Sequence, residues 1–402
     1  MVGRQKMVRS TGVLLVLATI PGVAGFHGPV APGPGRGQTF ASSSDVRNSR
    51  LEAASTADSG WMLGDKVASA IVGSPIYPLL TQYAKNTMKK SAENVGVNWD
   101  SEVAEMRKGQ DWDAALAELL ETSSVEVPEV YKKPFHAYSD GNLCWEAAWE
   151  QHLASLAVGY RNFPDDAARG EYLLRSGYHK QVERLGVTVD KGDFLVDLGC
   201  GSGTSSRYLA EQYPSAGKVV GLDLSAHMIV TARYMDQNDE KADPRVEFKY
   251  ADAAKTGLEE NSASLVSLCL VVHELPGDYR REILAEAFRI LRPGGSLALM
   301  DMDPSAPGYV KLRKNPMLFS ILRSTEPYLE VWFSEASNIN DELQEAGFNT
   351  VRTSGVTGRH MAIVAVKEGS GEHLDLRADY AQREKDDTHM QTHTAKGWVQ
   401  DR

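Results

Sequence analysis

The sequence predicts an α/β fold in which a parallel sheet is covered on both faces by helices. Three observations carry this prediction. Five apolar runs, "FLVDLG", "KVVGLDL", "VEFKYAD", "LVSLCLVV" and "SLALMDM", follow one another with helical segments between them. Strands joined by helical crossovers run parallel and bury both faces. A glycine-rich turn, "VDLGCGSGTSSRYL", joins the first run to its helix, and "REILAEAFRILRPGG" is a helix stopped by Pro293 and Gly294 just before the fifth run.

In chain order, residues 1–60 read as a targeting leader. Arg4, Lys6 and Arg9 precede the short apolar run "TGVLLVLATI", and Val23, Ala24 and Gly25 make a signal-peptidase site before Phe26. The next residues, "FHGPVAPGPGRGQTFASSSDVRNSR", hold no acid before Asp45 and have the composition of a transit segment. A signal, a Phe at the cleavage point and an acid-poor segment resemble the two-part leader of algae with secondary plastids. The expected location is therefore the plastid (chloroplast), with plain secretion as the alternative.

Residues 61–185 form a helical N-terminal extension broken by Pro75, Pro78, Pro128 and Pro134. "WDAALAELLET" and "GNLCWEAAWEQHLASLAVGY" are its amphipathic helices. Residues 186–368 hold the sheet. After the fifth run, "NDELQEAGF" predicts a helix, and "NTVRTSG" with "HMAIVAVK" a closing hairpin. Residues 369–402, "YAQREKDDTHMQTHTAKGWVQDR" among them, are polar and charged and read as a mobile tail.

The chain has 402 residues, 42 % of them hydrophobic, which allows one sizeable core with additions. Its net charge of −11 comes without a dense basic stripe, which argues against nucleic acid as a partner. Cys144, Cys200 and Cys269 are scattered with no metal-ligand spacing, so neither a disulfide framework nor a metal site is expected. No run after the leader is long and apolar enough to span a bilayer. Oligomeric state is not legible.

The glycine turn raises the question of its ligand. Gly199 and Gly201 satisfy the first two places of a dinucleotide fingerprint, but the third place falls on Thr204; the chain has Gly203 instead. Asp223 ends the second run, where a carboxylate can accept both hydroxyls of an adenosine ribose. Nicotinamide enzymes share that feature. Asp252, in "YADAAKTGL", ends the third run, where it can receive an adenine amine.

The pieces "VDLGCGSG", "VVGLDLS", "YADA", "SLCLVVHEL" and "FRILRPGG", in this order, resemble the class I S-adenosylmethionine-dependent methyltransferases. The likeness is nearest to the subgroup that includes the quinone-biosynthesis enzymes. "KPFHAYSDGNLCWEAAWE" and "STEPYLEVWFS" look like a branch of plant and algal chloroplast methyltransferases. The resemblance implies a Rossmann-like fold with a seven-stranded, mostly parallel sheet whose last strand is antiparallel, with the extension over its open edge as a lid. It implies S-adenosyl-L-methionine as cofactor, held by Asp197, Gly199, Cys200, Gly201, Gly203, Asp223, Leu224, Asp252, Ala253 and Leu270. The physical chemistry agrees: Asp197 places negative charge beside a ligand carrying a sulfonium and an ammonium, and glycines permit positive φ and close approach.

Methyl transfer from a sulfonium needs alignment and exclusion of water, plus a base where the acceptor is a phenol or enol. His273 is the candidate, in "VVHELP" beyond the fourth strand, with Glu274 adjacent and only one of the two expected to point inward. Packing or capping is the alternative role for His273. Tyr138 and Trp145, in the stretch holding His136 and Asn142, are lid candidates reaching the methionine part or the acceptor. Glu326 and Tyr328 are a second set of acceptor contacts. The expected function is methyl transfer to a small molecule: a quinone, phenol or other plastid metabolite first, an amine or thioether acid next. A non-catalytic cofactor binder and a nicotinamide-dependent oxidoreductase are the competing classes.

Overall fold

The computed structural model describes residues 77–369 and Ser74, less 137, 316–318, 320, 321 and 324. The leader expected over 1–60 and the tail from 370 onward lie outside the described residues.

Seven strands form one sheet: β1 (Phe194–Leu198), β2 (Lys218–Asp223), β3 (Val246–Tyr250), β4 (Ala263–Cys269), β5 (Leu291–Met302), β6 (Thr350–Gly355) and β7 (His360–Val366). Their order is β3-β2-β1-β4-β5-β7-β6. The first five pair in parallel, while β7 runs antiparallel to both β5 and β6. The predicted hairpin thus closes the sheet. The "RPGG" segment belongs to β5 rather than to the preceding helix: the register jumps from Ala263↔Leu291 to Leu265↔Ser296, so Pro293 and Gly294 sit in a bulge, where a missing ladder N–H costs little.

The helices are α1 (Tyr77–Glu93), α2 (Trp99–Lys108), α3 (Trp112–Glu121), α4 (Trp145–Asn162), α5 (Gly170–Arg184), α6 (Thr204–Gln212), α7 (Ala226–Gln237), α8 (Gly277–Ile290), α9 (Pro307–Arg313), α10 (Leu329–Glu335) and α11 (Ile339–Glu345). Side chains alternate along each strand and so divide the core into two layers. Leu195, Val219, Leu265, Met300 and Val364 pack with Leu174, Tyr178 and Val182 of α5. On the other face Val196, Leu198, Val266 and Leu268 pack with Ile283, Leu284 and Ala287 of α8 and Trp332 of α10.

The extension does not cover an open edge as expected. Its helix α5 lies on a sheet face, and α2, α3 and α4 build a cluster of Trp99, Trp112 and Trp149 against Val230 of α7. The reason is hydrophobic area: a row of buried aromatics needs an apolar face, which α7 offers and a strand edge does not. α4 and α5 cross at bare glycines. A Cβ on Gly159 would lie 2.3 Å from the Glu171 nitrogen, so any larger residue forces the helices apart. The strand order reverses between the paired neighbours β1 and β4, and the carboxyl ends of the strands there are the expected ligand crevice.

Candidate cofactor and acceptor site

After β1 the chain turns through Gly199, Cys200, Gly201, Ser202 and Gly203 into α6, with φ of +74°, +54° and +90° at the three glycines. At Gly203 glycine is required twice over: the angle disfavours any L side chain, and a Cβ would lie 2.4 Å from the Phe248 ring. Asp223, at the end of β2, ties the turn down. Its Oδ2 accepts from Gly201 N–H at 2.8 Å and its Oδ1 from Ser225 N–H at 2.8 Å. Burial raises its pKa, opposed by N–H donors of Ser225, Gly201 and Leu224 and by the hydroxyl of Tyr131. Cys200 is buried beneath the turn, its thiol kept neutral by burial and then by Asp223.

Asp197 lies on the other side of the turn. Its Oδ2 accepts from Ser205 Oγ at 2.6 Å and Ser206 Oγ at 2.7 Å, while its buried Oδ1 has no partner. Burial pushes its pKa up to about 6, despite both serines and the charge of Arg175. Arg175, from α5, is itself buried, donating to Cys269 Sγ at 2.8 Å, Ser155 Oγ at 3.0 Å and Glu171 Oε1 at 3.4 Å. Three bonds leave two of a guanidinium's five N–H groups. A carboxylate oxygen without a donor near a buried guanidinium with spare donors suits a zwitterionic amino-acid end. The residues present therefore fit S-adenosylmethionine: Asp197 for its ammonium, Arg175 for its carboxylate, Asp223 for its ribose.

The adenine-side candidate, Asp252, accepts from Tyr279 OH at 2.5 Å and Ala254 N–H at 2.7 Å. Leu224 is buried beside Asp223, and Ala253 is half-buried near Leu258 and Ala254 in the second layer. Leu270, just past β4, holds a φ of +61°, a conformation a leucine adopts only where its surroundings enforce it.

On the acceptor side, His273 and Glu274 form a short turn after β4, and both belong to one cluster. His273 Nδ1 lies 2.8 Å from Asp301 Oδ1, near the end of β5. Burial alone would lower its pKa, but Asp301 and then Glu274 hold it up at about 9. A strap, residues 129–142, crosses above. Asn142 Nδ2 donates to Glu274 Oε2 at 3.3 Å, and Ser225 Oγ donates to the Asn142 carbonyl at 2.6 Å. His136, with a φ of +49°, places Nε2 at 3.2 Å from Glu326 Oε1 and 3.6 Å from Glu274 Oε1. Its N–H donates to the Thr325 carbonyl at 3.0 Å, and Tyr328 OH donates to the Val130 carbonyl at 2.9 Å. Tyr131 faces both Asp223 and Glu274, which connects the acceptor cluster to the ribose carboxylate.

Two lid candidates are placed elsewhere. Tyr138 OH donates to Glu150 Oε2 at 2.5 Å, and Glu150 also takes Lys85 at 2.8 Å, so this hydroxyl is spent within the extension rather than joined to His273. Trp145 stacks on Trp149 at 5.7 Å and lies 5.3 Å from Trp112, in the aromatic cluster. Alongside them, Tyr131, Gln151 and Arg175 are site residues that the sequence did not reveal. Gln151 Oε1, on α4, accepts from the Ser202 hydroxyl, holding the helix on the glycine turn. Among the described residues no helix is long and apolar enough to cross a membrane.

Residues 195–295 match the family model described as a methyltransferase domain. A demethylmenaquinone methyltransferase of Listeria welshimeri is 28 % identical over 197 residues, covering 45 % of this chain and 80 % of that protein. The enzyme of the same name from Oceanobacillus iheyensis is 29 % identical over 198 residues, 44 % of this chain and 81 % of its own. Haemonchus contortus phosphoethanolamine N-methyltransferase 2 in complex with S-adenosyl-L-methionine aligns with a TM-score of 0.41 and 15 % identity, over 58 % of this chain and 62 % of that one.

Proposed function

The chain carries a class I S-adenosylmethionine-dependent methyltransferase domain, and we propose that it methylates a small molecule with an ionisable hydroxyl, a phenol or a reduced quinone. One observation carries this reading. Two imidazoles, His273 and His136, stand at the carboxyl ends of the central strands, each paired with a carboxylate at 2.8 Å and 3.2 Å. At neutral pH the buried His273 ring, raised to about 9, is charged. A charged imidazole beside a hydroxyl favours the oxyanion, the form that attacks a methyl group. The 28 % identity to demethylmenaquinone methyltransferases supports the same acceptor class.

The cofactor supplies the methyl group on a sulfonium. The chain's residues do the rest. Asp223 and the glycine turn fix the nucleoside, Asp197 and Arg175 fix the amino-acid end, and the strap keeps water from the crevice while the two are aligned. An amine acceptor is the second reading, favoured by three carboxylates, Glu274, Glu326 and Asp301, around the same place.

Purified protein given methyl-labelled S-adenosylmethionine is expected to label a reduced naphthoquinone or naphthol, and aliphatic amines at least tenfold more slowly. Preference for the amine would replace the reading. Plastid delivery is part of the proposal and rests on the leader's composition: residues 1–60 fused to a fluorescent protein are expected to reach the plastid of an alga with a secondary plastid.

A further inference from the structure

We infer that Glu326 is the group that takes the acceptor's hydroxyl proton, and that His136 positions it. The inference deepens the phenol-class reading above and rests on it. Among the carboxylates of the cluster, Asp301 is engaged by His273 Nδ1 and by the N–H groups of His273 and Met302. Glu274 is engaged through both oxygens, Oε2 by Asn142 and Oε1 by His136. Glu326 differs. Its Oε1 is held by His136 at 3.2 Å, while its Oε2 is buried and has no partner.

A buried carboxylate oxygen without a donor costs free energy comparable to a lost charged hydrogen bond. The fold tolerates it in a cluster assembled from four distant segments: the strap, the turn after β4, the end of β5 and the segment before α10. The strap carries a further cost, since His136 holds a left-handed φ of +49° to present its ring. A left-handed residue that orients one oxygen of a carboxylate and leaves the other bare is a geometry suited to receiving an O–H.

The step balances as follows. The acceptor hydroxyl gives its proton to Glu326 Oε2. The oxygen's lone pair forms the new bond to the methyl carbon, and the bond from that carbon to sulfur breaks with its pair left on sulfur. The proton on Glu326 then returns to solvent. His136 acts through Glu326 and is a positioning residue.

The test compares Glu326→Gln with wild-type protein on two acceptors, 1-naphthol and a nitro-substituted naphthol already ionised at neutral pH. For 1-naphthol, kcat is expected to fall by a hundredfold or more, the usual worth of a general base. For the nitro compound the loss is expected to stay below tenfold. Calorimetry with S-adenosylhomocysteine should give equal affinity for both proteins, and the absorbance of bound 1-naphthol should show the anion in wild-type protein and the neutral form in the variant. His136→Ala is expected to lower kcat on 1-naphthol, and His136→Gln, which keeps a donor, to restore much of it. Equal losses on the two acceptors, or no loss on either, would overturn the role of Glu326. Wild-type protein that binds the homocysteine ligand yet methylates neither naphthol would instead overturn the acceptor reading, and this inference with it.

Discussion

Asp197 carries its charge where burial resists it, and that sets a pH dependence. Its pKa is pushed up to about 6, above the ordinary carboxylate value near 4. In the unliganded protein the folded state therefore holds the proton more tightly than the unfolded chain. The stability from this group is full below the ordinary value and lost as pH rises through 6. An ammonium on Oδ1 reverses the preference, because it binds the ionised form. Affinity for S-adenosylhomocysteine is thus expected to weaken as pH falls below about 6, by up to about tenfold per unit. Asp197→Asn should bind weakly throughout and lose the slope. Calorimetry between pH 5 and 8 reads both, and a wild-type affinity that stays flat would remove Asp197 from the ligand's amino group.

At the scale of elements, the strap deserves the same treatment as a strand, because it brings three functional side chains to one place. Tyr131, at the end of a short 3-10 turn (Glu129–Tyr131), reaches Asp223, His136 reaches Glu326, and Asn142 reaches Glu274. The Tyr131 hydroxyl lies close enough to Asp223 to hold the pKa of that carboxylate down, at the group a ribose would use. Tyr131→Phe removes that competitor while keeping the ring, so S-adenosylhomocysteine is expected to bind about two- to tenfold tighter, the range of one net hydrogen bond. A weaker complex would mean that Tyr131 touches the ligand instead.

The strap also marks where the sequence stops being legible. The glycine turn, Asp223 and the five parallel strands are readable because their chemistry and spacing are local, a few residues apart along the chain. Tyr131, Gln151, Arg175 and the pairing of His136 with Glu326 depend on which helix face meets which turn. The stretches around His136 and Glu326 do read as candidate contacts, but no spacing along the chain says that these two side chains meet, or that Tyr131, Gln151 and Arg175 join them. The partners of Tyr138 and Trp145 are equally illegible: aromatic residues before the first strand fit a lid, while in the fold Tyr138 bonds to the carboxylate of Glu150 and Trp145 joins the aromatic cluster on α7.

For the whole molecule, the decisive boundary is not the one the strands suggest. A sheet domain starting near residue 186 looks separable, yet α5 puts Leu174, Tyr178 and Val182, none more than 1 % exposed, into the same layer as Leu195, Leu265 and Val364. Each such side chain contributes about 1.5–3 kcal/mol by burial. Their sum is comparable to the total stability of a typical domain, about 5–15 kcal/mol. The helices α1 to α3 belong mainly to a satellite cluster on α7, and of their residues it is the half-buried Leu116 and Leu119 of α3 that also pack against the sheet layer. Deleting the chain through residue 121 is therefore expected to lower the melting temperature while leaving a cooperative transition and S-adenosylhomocysteine binding within about tenfold. Deleting it through residue 185 is expected to abolish the transition, because it uncovers an apolar sheet face and removes Arg175 as well. Circular dichroism melts with calorimetry on the two truncations decide the matter: a chain of residues 186–402 that melts cooperatively and binds the ligand would show that the sheet stands alone and that α5 belongs to the extension, not to the core.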